Sequence, residues 1–372
     1  MTTEQQAFVH LLKAGLWGHL DEPAIAFFRS QRPDWQEVYT LAQQQTSVGI
    51  MTDGMTLLPT HLRPPKQIYF NCVAQTGTYE EDNRQLSQFA RELQQRLKQK
   101  GVDTLLLKGQ GVAQLYRQPL HRQMGDIDIL INDSQQLVLA QKLMQRIADT
   151  ENISSSGQHS EFTVGDNIIE LHGEFGLTIC PKTTRNLRLW AGQRLQEPPQ
   201  TVAGFIVPNA AFNAVFVFAH MLNHYMIGGV GLRQVSDWMR LMHHITSTQP
   251  QPSFWRTLRE DLNLLGLTRF WHLFAVMAVQ LLGCPAESMP FIEQSLTDDN
   301  LRKSHILLDN IFKTGNFGAL QKEKQLDPSS TNKWVKKVHT AFGELPVYFR
   351  TARLFPRDAV YCFFKYAKGQ LK

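Results

Sequence analysis

The segment RQMGDIDILI, residues 122–131, limits the fold more than any other, because an apolar, strand-like run carries two carboxylates, Asp126 and Asp128, one residue apart. At ~3.3 Å per residue, positions i and i+2 of a β-strand point to the same face about 6.6 Å apart, so both acids share one side and Ile127 and Ile129 the other. Like charges held this way repel, and desolvating either one unpaired is costly. The fold must bring a cation to this strand face, and a divalent metal is the simplest one.

The rest of the chain offers an ordinary globular setting. Its 372 residues, 42% hydrophobic and 19% charged, suffice for two or three cores and exclude a disordered polymer. Cys72, Cys180, Cys284 and Cys362 are far apart and form no C-x-x-C pair, which argues against a disulfide framework or structural zinc and favours a reducing cytoplasm. MTTEQQAF has neither the basic nor the apolar region of a signal peptide. The longest apolar candidate, Phe270 to Cys284, spans 15 residues against the ~20 of a membrane helix, so a buried core helix and no transmembrane segment are expected.

Helical periodicity dominates residues 1–100, most clearly where Leu86, Phe89, Ala90, Leu93 and Leu97 form one stripe before Gly101. The period then changes. DTLLLKG reads as a short buried strand, GVAQLY as a short helix and GDIDILI as a second strand. A helix capped near Asp133 follows, with Leu137, Ala140, Leu143, Met144 and Ile147 as its apolar stripe. EFTVGDNIIELHG reads as a hairpin turning at Gly165 to Asn167, with Glu170 and His172 on one face of its second strand. The polar, proline-containing QRLQEPPQTVAG then separates this block from a helix-rich remainder. Three sections are expected: helices over 1–100, an α/β unit over 101–200, and helices over 205–372.

Several motifs are excluded. An EF-hand would need an oxygen ligand and a glycine where Leu130 and Ile131 stand, and GQGVAQ lacks the third glycine of a dinucleotide fingerprint. No G-x-x-x-x-G-K-[ST] occurs, and HMLNH lacks the glutamate of a zinc-protease helix.

What remains is Lys108-Gly109 at a strand end, then Tyr116, then Arg122-x-Met124-Gly125-Asp126-x-Asp128, then Glu170-Leu171-His172, and later His220, His224, Gly231, Leu232, Arg233, Asp237 and Trp238. Over residues 100 to 240 this pattern resembles the nucleotidyltransferase superfamily that includes DNA polymerase β, and more closely a branch of uncharacterised nucleotidyltransferases. The resemblance implies an α+β fold: a small mixed-sheet, polymerase β-like core flanked by N-terminal and C-terminal helical regions. It implies Mg²⁺ (or Mn²⁺) held by Asp126, Asp128 and Glu170, with Glu170 near the acceptor hydroxyl, and an NTP such as ATP as substrate. The acceptor would be a small molecule, a saccharide-type metabolite or a protein side chain.

Lys108 and Arg122 are then candidate phosphate partners, the latter suited to bidentate contact, while Gly109 and Gly125 bring backbone close to the nucleotide. Gln110 stands where the superfamily usually has serine or glycine, and 15 residues separate it from Asp126; the closer branch shares both traits. His172, His220, His224, Arg233 and Asp237 complete the candidate pocket. His172 is otherwise a strand-end histidine, and His220 and His224 core histidines at i and i+4. Arg122 is otherwise an ion-pair partner of Asp126. Arg233 and Asp237, also at i and i+4, would pair along their helix. The GGVG break at 228–231 would let the C-terminal helices close over base or acceptor.

Two alternatives are a catalytically degenerate nucleotide-binding or protein-interaction module and a nucleic-acid-modifying nucleotidyltransferase. The latter would use residues 331–372, which hold nine Lys or Arg against two acids, a local +7 that leaves −2 for the rest of a chain of net charge +5. Interleaved with aromatics, this tail could contact an anionic polymer or a membrane surface; the simpler reading is a helical cap with core aromatics and a solvated basic face.

Overall fold

Local capping starts most of the N-terminal helices. The Thr2 hydroxyl accepts from the Gln5 N–H at 3.2 Å and the Gln5 side chain from the Thr2 N–H at 3.0 Å, a reciprocal cap that opens α1 (Thr3–Trp17). Asp21 and Asp34 cap α2 (Glu22–Ser30) and α3 (Trp35–Gln44) in the same sense, before α4 (Val48–Thr56) and the 34-residue α5 (Lys66–Gln99). In this computed structural model, residues 1–154, 156–316 and 345–371 are described, with side chains as far as Tyr366 in the last helix.

Helices α1 and α4 meet through glycine. A Cβ on Gly15 would lie 1.9 Å from the Ile50 carbonyl oxygen, and one on Gly54 would lie 2.0 Å from that of Leu11. Only a residue without a side chain permits this approach. Helix α5 then serves two cores: Cys72 and Tyr79 pack with the N-terminal helices, while Leu86, Ala90, Leu93 and Leu97 cover the sheet. Helices α1–α5 occupy residues 3–99, and the end of α5 is a layer of the α/β unit.

The sheet is formed by β1 (Leu105–Leu107), β2 (Ile127–Leu130), β3 (Thr150–Ile153), β4 (His159–Val164) and β5 (Asn167–His172), in the order β1-β2-β5-β4-β3. Only the β2–β5 pair is parallel, so the sheet is mixed and the fold is α+β. Helix α6 (Gly109–Ala113) follows β1, and α7 (Ser134–Met144), capped by Asp133, crosses from β2. Leu137, Ala140 and Met144 of α7 pack on Ile129, Phe162, Ile169 and Leu171, whereas Ile147 lies beyond the helix end, 53% exposed, and drops out of the expected stripe.

Two elements correct the sequence reading. Strand β3 was not expected, since all four of its residues are exposed and carry no alternating apolar signal. Within the presumed separator, after α8 (Pro181–Arg194), β6 (Gln200–Val202) and β7 (Phe205–Val207) form a hairpin. Gln94 of α5 clasps it: its side-chain amide donates to the Ile206 carbonyl at 3.0 Å and accepts from the Ile206 N–H at 3.1 Å. Phe205 and Val207 enter the core under the sheet.

The remainder is helical: α9 (Ala210–Ile227), α10 (Leu232–Ser247), α11 (Pro252–Leu265), α12 (Thr268–Gln280), α13 (Ile292–Ser295), α14 (Asp298–Thr314), α15 (Leu345–Ala352) and α16 (Pro356–Leu371). The 270–284 segment holds all but the first two residues of α12, whose Phe270, Trp271 and Phe274 are fully buried. No single helix among the described residues is long and apolar enough to cross a membrane. Of the basic tail, Lys333, Trp334, Lys336, Lys337, Phe342 and Glu344 lie outside the described residues. Within them, Tyr348 and Phe355 are buried against the main core, while Phe349 and Phe364 are largely exposed.

Between α6 and β2, His121 binds Asp53 of α4 at 2.7 Å through Nδ1 and Glu80 of α5 at 2.8 Å through Nε2. The Asp53 hydrogen bond, outweighing burial, holds its pKa above the ordinary 6.5. A raised folded-state pKa gives stability that is complete below pH ~6.5 and lost as pH climbs through the folded value. Thermal melts should therefore show His121→Gln less stable than the wild type at pH 6, with the gap narrowing towards pH 9. At the α1–α4 crossing, Gly15→Ala should cost about 1–3 kcal/mol in urea unfolding, since a backbone carbonyl must move.

Candidate active site

The parallel register of β2 and β5 sets Asp128 directly opposite Glu170. Asp126 precedes β2, and one ligand atom from each of Asp126, Asp128 and Glu170 lies within 4.8 Å of the others. Asp128 is 2% exposed, Glu170 half-buried, and Asp126 open to solvent. Desolvation in the cleft and the neighbouring Asp128 charge raise the Asp126 pKa, as expected of acids crowded without enough cations. This donor set, hard oxygens on two adjacent strands, fits a divalent cation such as Mg²⁺ or Mn²⁺.

Two protein cations partly balance the group. Lys108 Nζ and His172 Nε2 each stand 3.0 Å from Asp128 Oδ1. Against the opposing effect of burial, Lys108 and His172 hold Asp128 well below the usual carboxylate range. His172, 3.3 Å from Glu170 Oε2, is lowered by burial, but its bonds to Asp128 and Glu170 outweigh this and raise it to about 9. The bond from His172 also lowers Glu170. Lys108 reaches this position through a turn at φ 51°, ψ −137°, a conformation of order 1–3 kcal/mol for a residue with a side chain, and Gly109 follows at φ 42°.

The loop that delivers Asp126 is fastened to α10. Arg122 donates to both Asp237 oxygens, Nε at 2.6 Å and Nη2 at 2.7 Å, and the Tyr116 hydroxyl donates to Asp237 at 2.7 Å. Arg233 Nη1 donates to the carbonyls of Gln123 at 2.8 Å and Met124 at 3.0 Å. Arg122, Arg233 and Asp237 are all buried. Burial, then repulsion from Arg122, lowers Arg233 to about 10. This corrects the expected pairings: among the described residues no ion pair joins Arg233 to Asp237 or Arg122 to Asp126, because each buried group finds a better-directed partner across the loop.

A 340 Å³ cavity opens over the acids. Every candidate named from sequence lines it except Gln110 and His172. Gln110 is 1% exposed and donates its amide to Asn83 at 3.3 Å, and Asn83 in turn holds the carbonyls of Leu120 and Arg122. His172 lines a second cavity of 370 Å³, which shares Lys108, Asp128, Glu170 and His220 with the first. His220 accepts from Lys108 at 3.0 Å and lies 3.3 Å from His224. Burial and then Lys108 push both histidines down, His224 to about 4, so both are neutral at pH 7.

Sequence reasoning missed His159, which faces His172 across the hairpin; counting back from the turn at Gly165 and Asp166 pairs the two positions. It also missed Asn83 and the Gln123 carbonyl, which carry no motif. The clamp yields a double-mutant test. Asp237→Leu or Arg122→Met alone leaves a buried partner uncompensated and should cost about 3–5 kcal/mol in denaturant unfolding. The double variant should cost less than the sum of the two.

Comparison with protein-family profiles matches residues 31–283 to an uncharacterised nucleotidyltransferase family. No curated protein and no solved structure matches the chain. The matched span covers both halves of the clamp, the three carboxylates and both cavities. The chain belongs to this nucleotidyltransferase family.

Proposed function

We propose that the protein is a divalent-metal-dependent nucleotidyltransferase with a polymerase β-like core, moving a nucleoside monophosphate from an NTP to an acceptor hydroxyl on a small molecule, saccharide-type metabolite or protein. The observation that carries this reading is the convergence of Asp126, Asp128 and Glu170, from two parallel strands, at one wall of a cavity that also presents Lys108. Asp126, Asp128 and Glu170 would hold Mg²⁺ or Mn²⁺, which when bound offsets the negative charge that builds on the phosphates as the α-phosphate is transferred.

The chain's own groups do the positioning. Lys108, 3.0 Å from Asp128 and lining the same cavity, would offer its ammonium to the phosphates. Neutral His220 and His224 line the same wall without adding charge and give hydrogen-bonding surface for base or sugar. Arg233 and the Arg122–Asp237 pair hold the 122–125 loop so that Asp126 meets the nucleotide in one geometry. Glu170 and Asp128 line both cavities, which supports placing nucleotide in the first and acceptor in the second, with attack across the carboxylates.

The test is metal-dependent binding of each NTP together with pyrophosphate release. Wild type should bind at least one NTP with Mg²⁺, and Asp126→Asn/Asp128→Asn should lose pyrophosphate release by about 10³-fold or more, the scale of a lost electrostatic transition-state contact. Lys108→Ala should weaken NTP binding while leaving the fold intact by circular dichroism. An absence of metal-dependent binding to every NTP would overturn the transferase reading in favour of a degenerate module.

A further inference from the structure

Glu170 belongs to a second group of potential ligands. His159 and His172 are register partners on β4 and β5, and Glu170 lies two residues before His172 on the same face. His159 Nε2 is 3.4 Å and His172 Nε2 3.3 Å from the same Glu170 oxygen, Oε2. All three ligand atoms lie within 4.8 Å of one another. With metal–nitrogen and metal–oxygen bonds of about 2.0–2.1 Å, the edge of a tetrahedral coordination sphere is roughly 3.3–3.4 Å. The observed separations match that edge.

The geometry points to a second cation site, at His159, His172 and Glu170, that takes a zinc-class divalent ion. Two imidazoles and one carboxylate favour Zn²⁺, or Co²⁺ as its spectroscopic substitute, over Mg²⁺, which prefers oxygen and dehydrates reluctantly, and the ion would take the place of the proton that His172 Nε2 shares with Asp128 and Glu170. Three protein ligands leave a fourth position for a water or a substrate oxygen, and all three residues line the 370 Å³ cavity beside Phe175 and Asn223. Glu170 has two oxygens and is the member common to both groups, so it joins the imidazole site to the all-carboxylate one. With both groups filled, the wall between the two cavities would hold a hard ion on the Asp126 side and a borderline ion on the His159 side.

The inference uses Glu170, the carboxylate shared with the proposed transfer site, but its test reads metal binding alone, so either reading can fail without the other. The full chain, stripped by a chelator, is titrated with Co²⁺ in excess Mg²⁺ and followed by visible d–d absorption, with Zn²⁺ stoichiometry by equilibrium dialysis and elemental analysis. Wild type should take up one ion that excess Mg²⁺ does not displace. His159→Gln should weaken it about tenfold or more while Mg²⁺-dependent nucleotide binding is unchanged, and Asp126→Asn should retain the Co²⁺ spectrum. Equal Co²⁺ binding by wild type and His159→Gln, displacement by Mg²⁺, or loss of the spectrum in Asp126→Asn would overturn the site and leave His172 as a hydrogen-bonded neighbour of the acids.

Discussion

The buried Arg122–Asp237 pair is the contact on which the site depends. It joins a loop of the α/β unit to a helix 115 residues away, in a place where an unpaired charge is not tolerated. Tyr116 and Arg233 extend it into a small network that saturates Asp237 and the carbonyls of Gln123 and Met124. Such a network fixes direction more than it adds net stability, and direction is what Asp126 requires. The C-terminal helices therefore help to shape the acidic centre through a carboxylate, Asp237, that is spent on Arg122 and Tyr116.

Around that centre, charge is distributed unevenly. Asp128 is buried and held by Lys108 and His172, while Asp126 stays open and only partly compensated. The arrangement divides the work between a fixed, internally balanced acid and an exposed acid that gains most from an incoming cation. Neutral His220 and His224 line the same cavity without adding positive charge of their own.

What the sequence revealed follows the range of the interactions. The β2 carboxylates, the β4–β5 hairpin and the stripe on α5 rest on periods of 2 and 3.6 that can be read within one element. The β6–β7 hairpin rests on Gln94, more than a hundred residues away, and on two three-residue strands in a polar, proline-containing stretch. The i,i+4 spacing of Arg233 and Asp237 suggests a local bond, but burial lets each choose a stronger distant partner. Gln110 has a motif position beside Gly109, yet its side chain turns inward to Asn83. The acids were legible because their cost is local; the clamp was not, because its benefit exists only after folding.

The backbone at Lys108 sets two contributions to stability against each other. A glycine would adopt φ 51° without that backbone penalty, but it would leave the buried Asp128 without the ammonium 3.0 Å away. The ammonium beside Asp128 is held in place by a turn that resists it, so backbone ease and charge balance ask for different residues at this one position.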